Sequence, residues 1–96
     1  MLNMAIESSL SELEERVLRA LWKLRGIGKN HVREDALRAD LAMAGLDTGC
    51  IKEVANLHDR GLLESVTIEG EKEISLTPLG LSLLRKIEED RLEELK

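Results

Sequence analysis

The side chains able to do chemistry in this chain are few and widely spaced. His31 and His58 stand 27 positions apart. Neither has the spaced Cys, His or carboxylate companions that a metal ion requires, so both read as surface or boundary residues. Cys50 is the only cysteine. It falls on the inner face of a predicted helix, where a small buried hydrophobe is the expected role. A place near that helix's N-terminus can also lower a thiol's proton affinity, which leaves a redox sensor as the alternative. Gly26, Gly28 and Lys29 lack the remainder of a phosphate-binding loop. The paired carboxylates belong to charge-rich helix surfaces, the usual pattern of a solvated face. The expectation is therefore no enzyme, no metal, no cofactor and no evident small-molecule ligand.

Charge is the more informative chemistry. The total is −5, with 19 acidic against 14 basic residues. It is unevenly spread. Between positions 16 and 38, Arg16, Arg19, Lys23, Arg25, Lys29, Arg33 and Arg38 face only Glu34 and Asp35, a local balance of +5. Between 63 and 77, Glu64, Glu69, Glu71 and Glu73 face only Lys72, a balance of −3. A phosphate backbone is drawn to the first segment and repelled by the second.

The chain has 96 residues, enough for one domain with one modest core. Apolar residues make up 43% and charged ones 34%, the balance of a soluble globular protein. With one Trp and no Phe or Tyr, that core must be aliphatic. A single cysteine forms no internal disulfide, and no run reaches the roughly 18 apolar residues of a membrane span. Residues 1–9 lack the basic start and apolar block of a secretory signal. They read as a lead-in, with Met4 and Ile6 either frayed or packed on the core or a partner. A cytoplasmic protein without membrane contact is expected.

The elements that would position these residues follow from periodicity. A first helix is predicted over 10–25, with a capping box of Ser11 and Glu14, or of Ser9 and Glu12. Its apolar stripe is Leu10, Leu13, Val17, Leu21 and Leu24, widened by Leu18 and Ala20. Glu15 and Arg19 stand in the favourable i,i+4 order. Trp22 is expected in the core or at a subunit contact, and Gly26 and Gly28 end the helix. A connector at 29–32 offers Val32 to a sheet. A second helix over 33–44 buries Ala36, Leu37, Leu41 and Ala44, with Gly45 as its cap. After the short turn Gly45-Leu46-Asp47, a third helix begins at Asp47 or Thr48 and ends at Arg60, before Gly61. Cys50, Val54 and Leu57 form its inner face. Strands over 62–68 and 72–77 come next, rich in β-branched residues. A three-residue loop, Gly70-Glu71-Lys72 or Glu69-Gly70-Glu71, would gather their apolar residues on one face. Pro78 then opens a last helix over 79–96. Expected core residues are Leu13, Val17, Leu21, Leu37, Leu41, Val54, Leu57, Leu62, Val66 and Leu76.

The run Asn56-Leu57-His58-Asp59-Arg60-Gly61-Leu62-Leu63-Glu64, then a hairpin, then Leu76-Thr77-Pro78-Leu79-Gly80, resembles the recognition helix and wing of winged helix-turn-helix proteins. MarR- and PadR-type regulators are the nearest kinds. The resemblance spans about residues 10 to 90 and is specific to the superfamily. It implies a mostly α fold with a small β-hairpin wing, a three-helix core and a long C-terminal helix. The domain would occupy 10–80, with 81–96 a helical dimerisation segment. It implies a DNA-binding transcriptional regulator, or a DNA-associated protein, whose third helix (48–60) enters the major groove. On that fold Lys52 and Asn56 stand one turn apart and reach base edges, since Lys contacts guanine and Asn pairs with adenine. Thr48 and Gly49 at the helix start suit a phosphate, with Lys29, Asn30, Arg33 and the wing's Lys72 beside the backbone. The acidic wing departs from the usual cationic wing tip. It favours the alternative, a winged-helix module that contacts protein and not DNA.

Assembly is the last expectation. A homodimer is predicted on the final helix through Leu81, Leu84, Leu92 and Leu95, joined by Leu10 and Trp22. An antiparallel pairing would set Arg85 and Lys86 beside Glu93 and Glu94 of the other copy.

Overall fold

The computed structural model describes residues 10–46 and 51–94. Among these residues four helices and a small three-stranded antiparallel sheet follow in the order α1 (Glu12–Lys23), β1 (Val32–Arg33), α2 (Glu34–Met43), α3 (Ile51–Asp59), β2 (Leu63–Ile68), β3 (Glu71–Leu76) and α4 (Pro78–Glu94). No helix among the described residues is long and apolar enough to cross a membrane.

Helix α1 opens on the capping box of Ser11 and Glu14. Glu14 N donates to Ser11 Oγ at 3.1 Å, and Ser11 N donates to Glu14 Oε1 at 2.8 Å. Two otherwise unpaired amides are thereby satisfied. The helix ends before the expected glycines. Arg25 takes the left-handed conformation at φ 63°, and Gly26 N returns to Leu21 O at 2.8 Å. Gly26 is needed for a different reason. A Cβ there would lie 2.7 Å from Val32 Cγ2, so the glycine lets the chain pass close against the sheet.

Helix α2 ends as predicted, with Gly45 at φ 90° and Leu46 N bonded to Leu41 O at 2.9 Å. Leu46 is half-buried against the core. Ala36 and Ala44 are exposed, contrary to expectation, because Leu37 and Leu41 alone face inward. Helix α3 ends at Gly61 in the same manner, with Leu62 N on Leu57 O at 3.0 Å. Asp47, Thr48, Gly49 and Cys50 lie outside the described residues.

The sheet order is β1-β3-β2. Val32 pairs with Ile74, so the connector does supply a strand. The hairpin register departs from the prediction. Leu63 pairs with Leu76 and Ile68 with Glu71, leaving a two-residue turn at Glu69-Gly70. Both turn residues have positive φ, 52° and 80°. That turn's backbone twist matches the twist of the strands, as a three-residue loop without such residues would not. The apolar set is split as a result. Leu63, Ile74 and Leu76 face the core, while Val66 is half-buried and Ile68 exposed on the other face.

The core is aliphatic. Val17, Leu18 and Leu21 of α1 meet Leu37, Leu41, Val54, Leu57, Leu62, Leu63, Ile74, Leu76 and Leu84. Leu13, expected inside, is half-buried at the flank of the α1 stripe. The buried stripe of α4 is Gly80, Leu84 and Ile87, spaced by four and three.

Candidate nucleic-acid interface

Helix α3 has one face committed to the core. Val54 and Leu57 are buried there, at 6% and 0% exposure. The opposite face carries Lys52, Ala55 and Asn56, all exposed. Lys52 and Asn56 are four positions apart, so their side chains lie one above the other on the same surface. Thr48 and Gly49, the expected phosphate contacts, are among the residues not described.

The C-terminal end of α3 is locked to the start of α4. Thr77 Oγ1 donates to Gly61 O at 2.7 Å and accepts from Gly80 N at 3.0 Å. One hydroxyl thus closes the end of α3 and caps the start of α4. Gly80 is required here, since a Cβ would fall 2.1 Å from Leu62 O.

The loop before β1 is tied to the sheet. Gly28 N donates to Leu76 O at 2.9 Å, and Ser75 Oγ donates to Gly28 O at 2.8 Å. Lys29 is exposed at this point. Asn30 is also exposed, but its side-chain amide donates to Arg25 O and so serves the loop. His31 Nε2 hydrogen-bonds Glu64 Oε2 at 3.0 Å, joining the loop to β2. Neither histidine belongs to a metal-holding group among the described residues.

The two expected hairpin-side cations are engaged within the molecule. Arg33 Nε lies 3.1 Å from Glu71 Oε2, and Lys72 Nζ lies 3.6 Å from Glu34 Oε2. Sequence reading missed both pairs. The signal for the first is the β1–β3 register, in which Arg33 stands opposite Glu73 and so beside Glu71. Arg25, Lys29 and Lys52 have no carboxylate within 4.0 Å among the described residues. Among the described residues, cations without a carboxylate partner therefore sit on α3 and the 25–30 loop, with Arg85 on α4, and the hairpin is acidic.

The expected dimer residues divide. Trp22 and Leu92 are exposed, at 56% and 62%. Trp22 lines a groove of about 670 Å³ between α1 and α4, together with Arg19, Lys23, Leu84, Arg85, Glu88 and Glu89. Arg19 Nε bonds Glu88 Oε1 across it. Leu84 is a correction: at 3% exposure it belongs to the core, because the inner stripe of α4 runs through it. Leu10 and Leu81 are half-buried against that core. Leu95 lies outside the described residues.

Comparison with family models, with curated proteins and with solved structures found no match to this chain.

Proposed function

We propose that this chain is a winged helix-turn-helix module that reads duplex DNA with α3 in the major groove and regulates transcription in the cytoplasm. The observation that carries this reading is the division of α3. Its inner face is spent on the core, and its outer face offers a Lys with no carboxylate partner among the described residues and an Asn at one-turn spacing. That pair can address guanine and adenine edges. Lys29 and Arg25 would hold the adjacent backbone, giving register without sequence information. A homodimer through Trp22 and Leu92 would present two copies of α3 to a palindromic site.

A second reading rests on the hairpin. With Arg33 and Lys72 neutralised internally, the hairpin keeps Glu69 and Glu73 without a cation within 4.0 Å among the described residues, as suits a module that contacts protein alone. Fluorescence anisotropy on a random labelled duplex separates the two. DNA reading requires binding at about 50 mM salt that weakens linearly in the logarithm of salt concentration, by roughly 0.9 per phosphate neutralised. An absence of binding at that salt leaves the protein-contact reading.

A further inference from the structure

Among the described residues, strand β2 lies at the edge of the sheet, with β3 as its only neighbour. The register fixes which of its backbone groups face the open side. Leu76 N donates to Gly26 O at 2.7 Å, and Leu76 O accepts from Gly28 N at 2.9 Å. Both groups therefore point away from β2. In an antiparallel ladder this direction alternates along the strand, and directly opposed residues share it in mirror sense. Ile74 and Lys72 have the same parity as Leu76, so their partners Ser65 and Thr67 point away from β3. The turn gives the same parity. A two-residue turn closes on a hydrogen-bonded pair, here Ile68 and Glu71, which again sends the groups of Thr67 outward. Among the described residues no backbone group meets those of Ser65 or Thr67.

This edge lacks the usual guards. It has no proline, no lysine and no bulge, and its pairing is unbroken over six residues. Ile68 is 48% exposed beside it. Glu64, Val66 and Ile68 alternate along one face, with Glu71 and Glu73 across the ladder; Glu64 is held by His31 and Glu71 by Arg33. Glu69 and Glu73 have no cation within 4.0 Å among the described residues.

The charge decides the occupant. A second copy pairing edge to edge would set this acidic face beside its own image, and directly opposed like charges destabilise a ladder. A nucleic acid is repelled outright. An extended cationic chain gains on both counts, through main-chain hydrogen bonds and through charge. We propose that the free edge of β2 takes up, as a fourth strand, an extended segment of a partner protein in which Lys or Arg alternates with β-branched residues. This surface is separate from the outer face of α3.

The test uses the whole chain and a labelled peptide of about ten residues, a full strand length, alternating Lys with Val. Anisotropy should show saturable binding. Two further peptides carry N-methyl groups along one edge or the other, which keeps the charge and blocks one ladder. One of them should bind at least about tenfold more weakly, since it cannot make the main-chain bonds. A Glu-for-Lys peptide should fall as far. Thr67→Pro, which deletes an edge N–H, should reproduce the loss on the protein side. Should that variant fail to fold, the N-methyl peptides still decide on the parent protein. No binding, or equal binding of both N-methyl peptides, overturns the proposal.

Discussion

Arg33 Nε lies 3.1 Å from Glu71 Oε2, an ion pair that joins the last residue of β1 to the first residue of β3. Both side chains are more than half exposed, so the pair contributes little to stability. Its consequence is electrostatic, because it neutralises a cation beside the hairpin. Glu71→Gln should leave the fold intact and release Arg33. On the DNA-reading proposal, duplex affinity then rises severalfold and the salt dependence steepens by about one unit. Arg33→Ala should do the opposite, evenly across sequences. A salt titration of both variants checks this, and a Glu71→Gln protein that binds like the parent would show that Arg33 takes no part.

Thr77 should matter more to stability than its partial exposure implies. Its hydroxyl caps α4 and also satisfies Gly61 O. Thr77→Val keeps the shape and removes both bonds. A loss of about 1–2 kcal/mol is expected, of which the cap alone accounts for about 1. Chemical denaturation measures it. A midpoint equal to the parent's would mean that the two helix ends are held without the hydroxyl.

Gly80→Ala should be the most damaging single methyl. The added carbon would lie 2.1 Å from Leu62 O, a backbone atom with no room to yield. A cost of about 3 kcal/mol, the upper range for overpacking, is expected. Gly26→Ala meets the tip of Val32 and should cost less. Denaturation of the two variants side by side tests the order, and the reverse order would contradict the packing described.

These glycines show what the sequence made legible and what it did not. The positions of Gly45 and Gly61 as helix ends follow from periodicity, since a stripe such as Val54 and Leu57 must stop before the chain turns. The burial of Val17, Leu21, Leu37, Leu41 and Leu76 follows from the same spacing. The hairpin register does not. It depends on whether Glu69 accepts a positive φ, a choice that apolar patterning does not record and that left Ile68 outside. The cations failed for a related reason. Arg33 and Lys72 were legible as charges, but their partners Glu71 and Glu34 come from elements that only the folded sheet brings together. Leu84 was legible as apolar, but its side of α4 is set by Gly80 meeting Leu62, not by the leucine spacing.

Assembly through the exposed apolar residues is open to a direct test. Leu92 lies five positions beyond Ile87, which turns it off the buried stripe, and Trp22 is exposed at the α1–α4 groove. Neither is covered by the other described residues. Sedimentation at tens of micromolar should give a dimer, and Leu92→Glu or Trp22→Glu should give a folded monomer. A monomeric parent, or a dimer indifferent to both changes, would remove this interface.

If the outer face of α3 reads base edges, selection from a randomised duplex pool should reveal it. The parent, Lys52→Ala, Asn56→Ala and Lys29→Ala would each be titrated against the selected site and against a scrambled one. The parent should prefer its selected site. Lys52→Ala and Asn56→Ala should each cut that preference by about 1–3 kcal/mol. Lys29→Ala should weaken both duplexes equally and lower the salt slope by about one unit. A parent that enriches no sequence, or a preference that survives loss of both Lys52 and Asn56, would contradict it.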